Sequence, residues 1–278
     1  MTLDRRFMQI DVFTAVALKG NPVAVVLDGS GLDDATMQQF ANWTNLSETT
    51  FVLPATDPAA DYFLRIFTPK SELPFAGHPT LGSAHAIIAA RLATPRGSKL
   101  VQQCAVGLVE VGVHGADLSF RLPPARIDPA PELELLAKAL GAEPLGPPQV
   151  VNVGPRWVIV EMPNEGAVRG CTPDLNILAA YDRAHGVTGQ TIFARTANGD
   201  AIVRSFAAAD GIAEDPVCGS GNGAVAAYRR WSGSGDADYS ASQGREIGRD
   251  GVIGVRFADG EIYVGGQCVT VIEGTVRI

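Results

Sequence analysis

The chain has 278 residues, 46% hydrophobic and 19% charged, with a formal net charge of −8 at pH 7; this is ordinary globular composition, enough for one large domain or two modest ones. The negative balance argues against general nucleic-acid or anionic-membrane binding, so the expected partner is a small molecule. Its longest apolar runs, such as Val23–Leu27, are too short to span a bilayer, and Met1-Thr-Leu-Asp-Arg-Arg lacks a signal-peptide core, making a cytoplasmic location the default expectation.

Phe7–Phe13, Pro22–Leu27, Thr49–Leu53 and Asp61–Phe67 are rich in β-branched and aromatic residues and bounded by Gly, Pro or Asp, which predicts strands. Between the second and third, Leu32–Trp43 opens with acidic residues, and the spacing of Met37, Phe40, Ala41 and Thr44 predicts an amphipathic helix. A helix over 79–92 and a meander at 99–104, 107–113 and 117–122 follow, turning at Gly107 and at His114-Gly-Ala-Asp. Leu122–Pro131 carries four prolines and reads as a linker. The expected domains are therefore 1–124, completed by a returning C-terminal strand over 268–278, and 125–267. The second loosely repeats the element order of the first.

The repetition is sharpest at two glycine-rich stretches. Glu72-Leu-Pro-Phe-Ala-Gly77-His78 and Glu214-Asp215-Pro-Val-Cys218-Gly219-Ser220 share Glu, Pro two residues on and Gly five residues on. Each follows a strand, Phe63–Phe67 or Ile202–Phe206, and each opens an alanine-rich helical segment. Free N–H groups and the positive dipole end make such starts natural anion seats. Two of them suggest one anionic substrate held between two similar halves. Their side chains differ, however: Leu73, Ala76 and His78 stand where the second copy has Asp215, Cys218 and Ser220. Any catalysis is then asymmetric.

Glu48, in Asn45-Leu-Ser-Glu-Thr-Thr, has capping-box spacing to Asn45, but a strand rather than a helix follows. An acid at a strand start beside a hydrophobic run suits partial burial and proton transfer. His78 sits where an imidazole meets a ligand at the first helix start, or else caps the helix or steadies the loop. His85 reads as a packed or hydrogen-bonded core histidine. Asp215 either stabilises a turn or binds an amine or orients a base, and Ser220 either caps a helix or binds a carboxylate. Cys104, Cys171, Cys218 and Cys268 lie far apart without metal-ligand spacing and are expected as reduced thiols. Cys218 stands out because a helix start stabilises a thiolate. Gly219-Ser-Gly-Asn-Gly-Ala224 also fits the dinucleotide fingerprint, but an acidic, proline-containing loop precedes it where a strand should. NAD binding is the weaker reading.

Taken together, Ile10-Asp-Val-Phe-Thr, Gly20-Asn-Pro, Asn45-Leu-Ser-Glu-Thr, Arg65-Ile-Phe-Thr-Pro, Leu73-Pro-Phe-Ala-Gly-His-Pro-Thr and Glu214-Asp-Pro-Val-Cys-Gly-Ser resemble the phenazine-biosynthesis PhzF-like isomerase family, within the diaminopimelate epimerase superfold. The resemblance implies an α+β fold of two similar domains, each a barrel-like, mostly antiparallel sheet around a central helix, with the active site in the cleft between them. It implies no metal or organic cofactor and a homodimer. It places catalytic roles on Glu48, His78 and Asp215 and substrate-binding roles on Asn21, Gly77, Cys218, Gly219 and Ser220. In such isomerases the glutamate shuttles a proton across a cyclic dihydrohydroxyanthranilate, moving a double bond. Epimerases of the wider superfold use two facing cysteines, and Ala76 stands at the first of those positions. The alternatives carried forward are a non-catalytic binder of small carboxylates and an NAD-dependent oxidoreductase. Trp43, just before the glutamate motif, is the expected fluorescent reporter of ligand binding.

Overall fold

The computed structural model describes residues 3–233 and 235–278. It divides into two compact units, one running to Phe120 and resuming over Gly265–Ile278, the other Arg121–Val264.

The first unit holds β1 (Asp4–Val12), β2 (Asn21–Val26), α1 (Asp34–Thr44), β3 (Glu48–Leu53), β4 (Tyr62–Phe67), β5 (Glu72–Leu73), α2 (Gly77–Ala89), β6 (Lys99–Cys104), β7 (Gly107–His114) and β8 (Asp117–Arg121). Beyond the second unit's strands, numbered below, the last strand β17 (Glu261–Arg277) pairs antiparallel with β1, from Val12↔Cys268 to Asp4↔Arg277. The pairings β17–β1–β2–β3–β4–β6–β7–β8 return to β17 and close an eight-stranded barrel. In this ring β2–β3 and β4–β6 are parallel. Closure leaves no free sheet edge in that ring.

Inside it, α2 is buried along nearly its whole length, from Gly77 to Ile87, as expected of a helix that is apolar and small all round. Gly82 permits the fit: a Cβ there would fall 2.4 Å from Val23 Cγ1. Buried hydroxyls and amides tie the helix to the wall, through Thr50–Ser83 at 2.8 Å and Gln102–Thr80 at 3.1 Å. On the outside, α1 lays Met37, Phe40 and Ala41 on Val26, Phe51 and Phe67, the face that its spacing predicts. Asp33 caps its N-terminus by accepting from Thr36 N–H.

The second unit contains β9 (Arg126–Pro129), α3 (Leu133–Leu140), β10 (Gln149–Asn152), β11 (Arg156–Glu161), α4 (Glu165–Arg169), α5 (Leu175–His185), β12 (Gly189–Arg195), β13 (Ala201–Ala207), β14 (Ile212–Asp215), α6 (Gly219–Trp231), β15 (Tyr239–Gln243) and β16 (Gly251–Ala258). Its strands pair in the order β9–β10–β11–β12–β13–β15–β16, with β14 also on β13. Helix α6 is buried from Gly219 to Arg229 and packs on β10, β11, β12 and β16. An outer layer sets Leu136, Leu140, Leu178 and Tyr181 from α3 and α5 against Val158, Val160 and Ile192. The fold is thus α+β, with a barrel-like sheet and a central helix in each unit.

The proline-rich stretch 122–131 is not the free linker its composition suggests. Arg126–Pro129 pairs with Gln149–Asn152, and Leu122 N–H donates to the Ile262 carbonyl at 2.8 Å. Pro123 and Pro124 precede the strand and Pro129 ends it, positions at which a missing donor interrupts no ladder.

Candidate active site

In the first unit, α1 ends on Asn45 in the left-handed conformation (φ 53°), and three residues later the chain enters β3 at Glu48. The Asn45–Glu48 spacing therefore ends one helix and starts a strand. Glu48 lies beside Val23 of β2, and its side chain is 16% exposed. Its Oε2 is 3.0 Å from Nδ1 of His78. His78 is the second residue of α2, buried, with Nε2 3.4 Å from the Pro22 carbonyl. The cap position is Ala76, which makes no side-chain cap bond, so the histidine acts inside the helix rather than as its cap. At 3.0 Å the two groups stand at ion-pair distance, and the contact is charged when the imidazole is protonated. Asn21, buried, opens β2 directly before Pro22.

In the second unit, Cys218 is the cap residue of α6, and its Sγ accepts from Gly221 N–H at 3.2 Å. Gly219 is the first helical residue and Ser220 the second. Ser220 Oγ accepts the indole N–H of Trp157 at 3.0 Å and lies 3.6 Å from Cys218 Sγ. Asp215 Oδ1 accepts from Val217 N–H at 3.0 Å, the turn-stabilising geometry expected of Asp at a loop start. Gln243, buried, holds the loop at both ends: its Oε1 accepts from Cys218 N–H (3.1 Å) and Asn222 Nδ2 (2.8 Å), and its Nε2 donates to the Asp215 carbonyl (3.0 Å).

The thiolate expectation for Cys218 is overturned. Burial pushes its thiol well above the usual cysteine range, and the Asp215 carboxylate pushes the same way; contacts with Ser220, Gly221 and Ser205 only partly offset this. Desolvation outweighs the helix start. His85 is a hydrogen-bonded core residue, with Nε2 3.0 Å from Thr270 Oγ1 and burial lowering its pKa. All four cysteines are free.

The duplication extends to side chains. Arg65 forks onto Glu72 (2.8 and 2.7 Å), and Arg204 onto Glu214 (3.0 and 2.8 Å). Each guanidinium also lies 5.1 Å from a ring centroid, Phe67 or Phe206. The glutamate that opens each device is thus clamped by the arginine of the preceding strand. Register extends the equivalence. Glu48 precedes Thr49, the partner of Phe67, and Gly189 precedes Gln190, the partner of Phe206. Glu48 lies beside β2, and Gly189 beside β11, across parallel pairings. Gly189 is therefore the counterpart of Glu48, and a Cβ on it would come 1.9 Å from the Phe206 carbonyl. No side chain fits at that position. Likewise Ala76 and Cys218 are equivalent cap residues.

The glycines of the dinucleotide-like run serve packing. A Cβ on Gly221 would lie 2.7 Å from Thr191 Oγ1, and one on Gly223 2.4 Å from Leu122 Cδ1, so both faces are filled by protein where a pyrophosphate would have to approach. Among the described residues no group of three or more His, Cys, Asp or Glu is placed to hold a metal, and no helix is long and apolar enough to cross a membrane.

Trp157, Gln243 and the two Arg–Glu forks escaped sequence reasoning. The forks had a signal, an arginine at the same place in both upstream strands; Gln243 had none. Trp43 is 77% exposed and stacks on Phe40 with 6.0 Å between ring centroids, whereas Trp157 is buried and donates to Ser220 Oγ.

A sequence profile described as "Phenazine biosynthesis-like protein" matches residues 10–274. The chain is 38% identical to "Antisense-enhancing sequence 1" of Schizosaccharomyces pombe, covering 98% of each chain. It is 33% identical to the trans-2,3-dihydro-3-hydroxyanthranilate isomerase of Pseudomonas fluorescens, covering 97% of this chain and 98% of that one. The crystal structure of the Bacillus anthracis phenazine biosynthesis protein of the PhzF family aligns with a TM-score of 0.86 at 26% identity, over 99% of this chain and 100% of the other. The chain belongs to the phenazine biosynthesis-like (PhzF) protein family and is an isomerase of that family.

Proposed function

We propose that this isomerase shifts a proton, and with it a double bond, within a small cyclic carboxylate of the dihydrohydroxyanthranilate class, with Glu48 as the single shuttle. The observation that carries the reading is the Glu48–His78 pair, 3.0 Å apart and mostly shielded from water. As carboxylate, Glu48 takes a proton from an activated ring carbon. The electron pair left behind delocalises along the conjugated system, and Glu48, now an acid, returns the proton to the far end. Electrons are conserved within the substrate, so the reaction calls for no redox cofactor. His78 holds the second carboxylate oxygen, keeping the first aimed at the carbon and stabilising whichever protonation state the step leaves. In the first unit Gly77 supplies a helix-start N–H suited to an anionic group and Asn21 a polar side chain; in the second, Gly219 supplies a helix-start N–H, Ser220 a hydroxyl and Asp215 a carboxylate. Gly189, where Glu48 has its counterpart, provides no second base, and burial pushes the Cys218 thiol pKa up. Both favour one shuttle over two opposed bases.

Incubating the protein with trans-2,3-dihydro-3-hydroxyanthranilate in D2O and following ring protons by NMR tests this. The double bond should move, with partial deuterium at the receiving carbon. Binding with neither isomerisation nor exchange would favour a carboxylate-binding protein for this substrate class.

A further inference from the structure

We propose that Trp157 is a positioning residue that fixes Ser220 as a hydrogen-bond donor, and so makes the second helix start selective for carboxylates over their amides. The inference rests on the reading of Ser220 as part of the carboxylate seat. A serine hydroxyl is ordinarily ambivalent, one donor and two acceptor lone pairs on a free rotor. Here the rotor is constrained. The indole N–H is a donor only and ends 3.0 Å from Ser220 Oγ, so the hydroxyl proton must point away from it. Cys218 Sγ lies 3.6 Å away, a sulfur already accepting from Gly221 N–H, and thiol sulfur is a weak acceptor. A carboxylate oxygen is a far better one and displaces that contact without competing for the lone pair used by the indole.

Burial supports the arrangement. Trp157 and Cys218 are buried, whereas Ser220 is only partly so. Trp157 lies beside Gly189 across the β11–β12 pairing, the position that accepts no side chain. The register position that bears Glu48 in the first unit thus carries no side chain beside the indole in the second.

Calorimetric titration with 2-aminobenzoate and 2-aminobenzamide tests the proposal in wild type, Trp157→Phe, Ser220→Ala and the double variant. Wild type should prefer the carboxylate. Trp157→Phe should weaken 2-aminobenzoate about three- to tenfold, the worth of one hydrogen bond, while leaving the amide nearly unchanged, and should add nothing in the Ser220→Ala background. Benzothienylalanine at 157, which replaces only the N–H by sulfur at nearly the same shape, should reproduce the effect if the phenylalanine variant folds poorly. Equal weakening of both probes, no weakening, or additive losses in the double variant would overturn the donor role. If Ser220→Ala binds 2-aminobenzoate as wild type does, or wild type shows no carboxylate preference, the seat itself is wrong and the inference falls with it.

Discussion

The two glycine-led helix starts share a scaffold and differ in chemistry. Both follow an Arg–Glu fork, both open 13-residue buried helices, and both are braced by polar contacts from neighbouring strands. Yet the first has a glutamate at the β3 start and a bare alanine at the cap, while the second has a glycine at the equivalent strand position and a thiol at the cap. The two copies share what holds the helix start in place and differ in the side chains at the strand start and the cap. The pair proposed to handle the proton, Glu48 with His78, belongs wholly to the first unit. The second sets Ser220, Trp157 and Gln243 in a hydrogen-bonded arrangement around its helix start.

The largest effect that sharpens this comparison concerns stability. Arg204 and Glu214 are only 8% and 9% exposed, whereas Glu72 is 41% exposed opposite Arg65. Glu214→Ala leaves a buried guanidinium that still bonds the Val168 and Cys171 carbonyls but has lost its counter-charge, and should cost about 3–5 kcal/mol. Glu72→Ala should cost about 1 kcal/mol or less. Urea denaturation of both variants measures the difference; equal losses would show that the forks are not buried to different degrees in solution.

Next in size is the histidine. His78→Leu removes the partner of Glu48 Oε2 and should lower turnover about tenfold or more, while His78→Asn, whose amide nitrogen can stand near the Nδ1 position, should recover much of it. Steady-state assay of both separates a hydrogen-bonding role from simple filling of space.

A smaller effect distinguishes the units by pH. Asp182, buried on α5 and bonded to Gln190, has its pKa raised from 3.8 to about 6, chiefly by burial. A carboxyl that holds its proton more tightly when folded contributes a destabilisation that grows as pH rises from about 4 to about 6 and is complete above that. Asp182→Asn should flatten the stability profile across that window; an unchanged slope would remove Asp182 as its source. Smallest of all, Cys218→Ser should leave turnover within about threefold, since the hydroxyl still accepts from Gly221 N–H.

Much of this was legible in the sequence because it is local. The Glu-x-Pro-x-x-Gly spacing, the α1 stripe of Met37, Phe40 and Ala41, and the strand following Glu48 each depend on residues a few positions apart. What escaped depends on burial or on pairing between strands. The Cys218 thiol was read from its helix start alone, but its surroundings come from Asp215, Ser205 and Gln243, the last 25 residues away. The equivalence of Glu48 and Gly189 is a matter of strand register, which no motif spells out. Prolines at 122–131 were read by composition, although their positions before and at the end of a short strand let it pair.

The central claim is that one carboxylate, not a thiol, carries the proton. Its most direct test is solvent-deuterium incorporation into trans-2,3-dihydro-3-hydroxyanthranilate by Glu48→Gln and Cys218→Ser side by side. Glu48→Gln should retain the fold and bind ligand yet lose exchange by about a hundredfold or more, while Cys218→Ser exchanges nearly as wild type does. Exchange that survives in Glu48→Gln and disappears in Cys218→Ser would put the proton on sulfur and contradict the account.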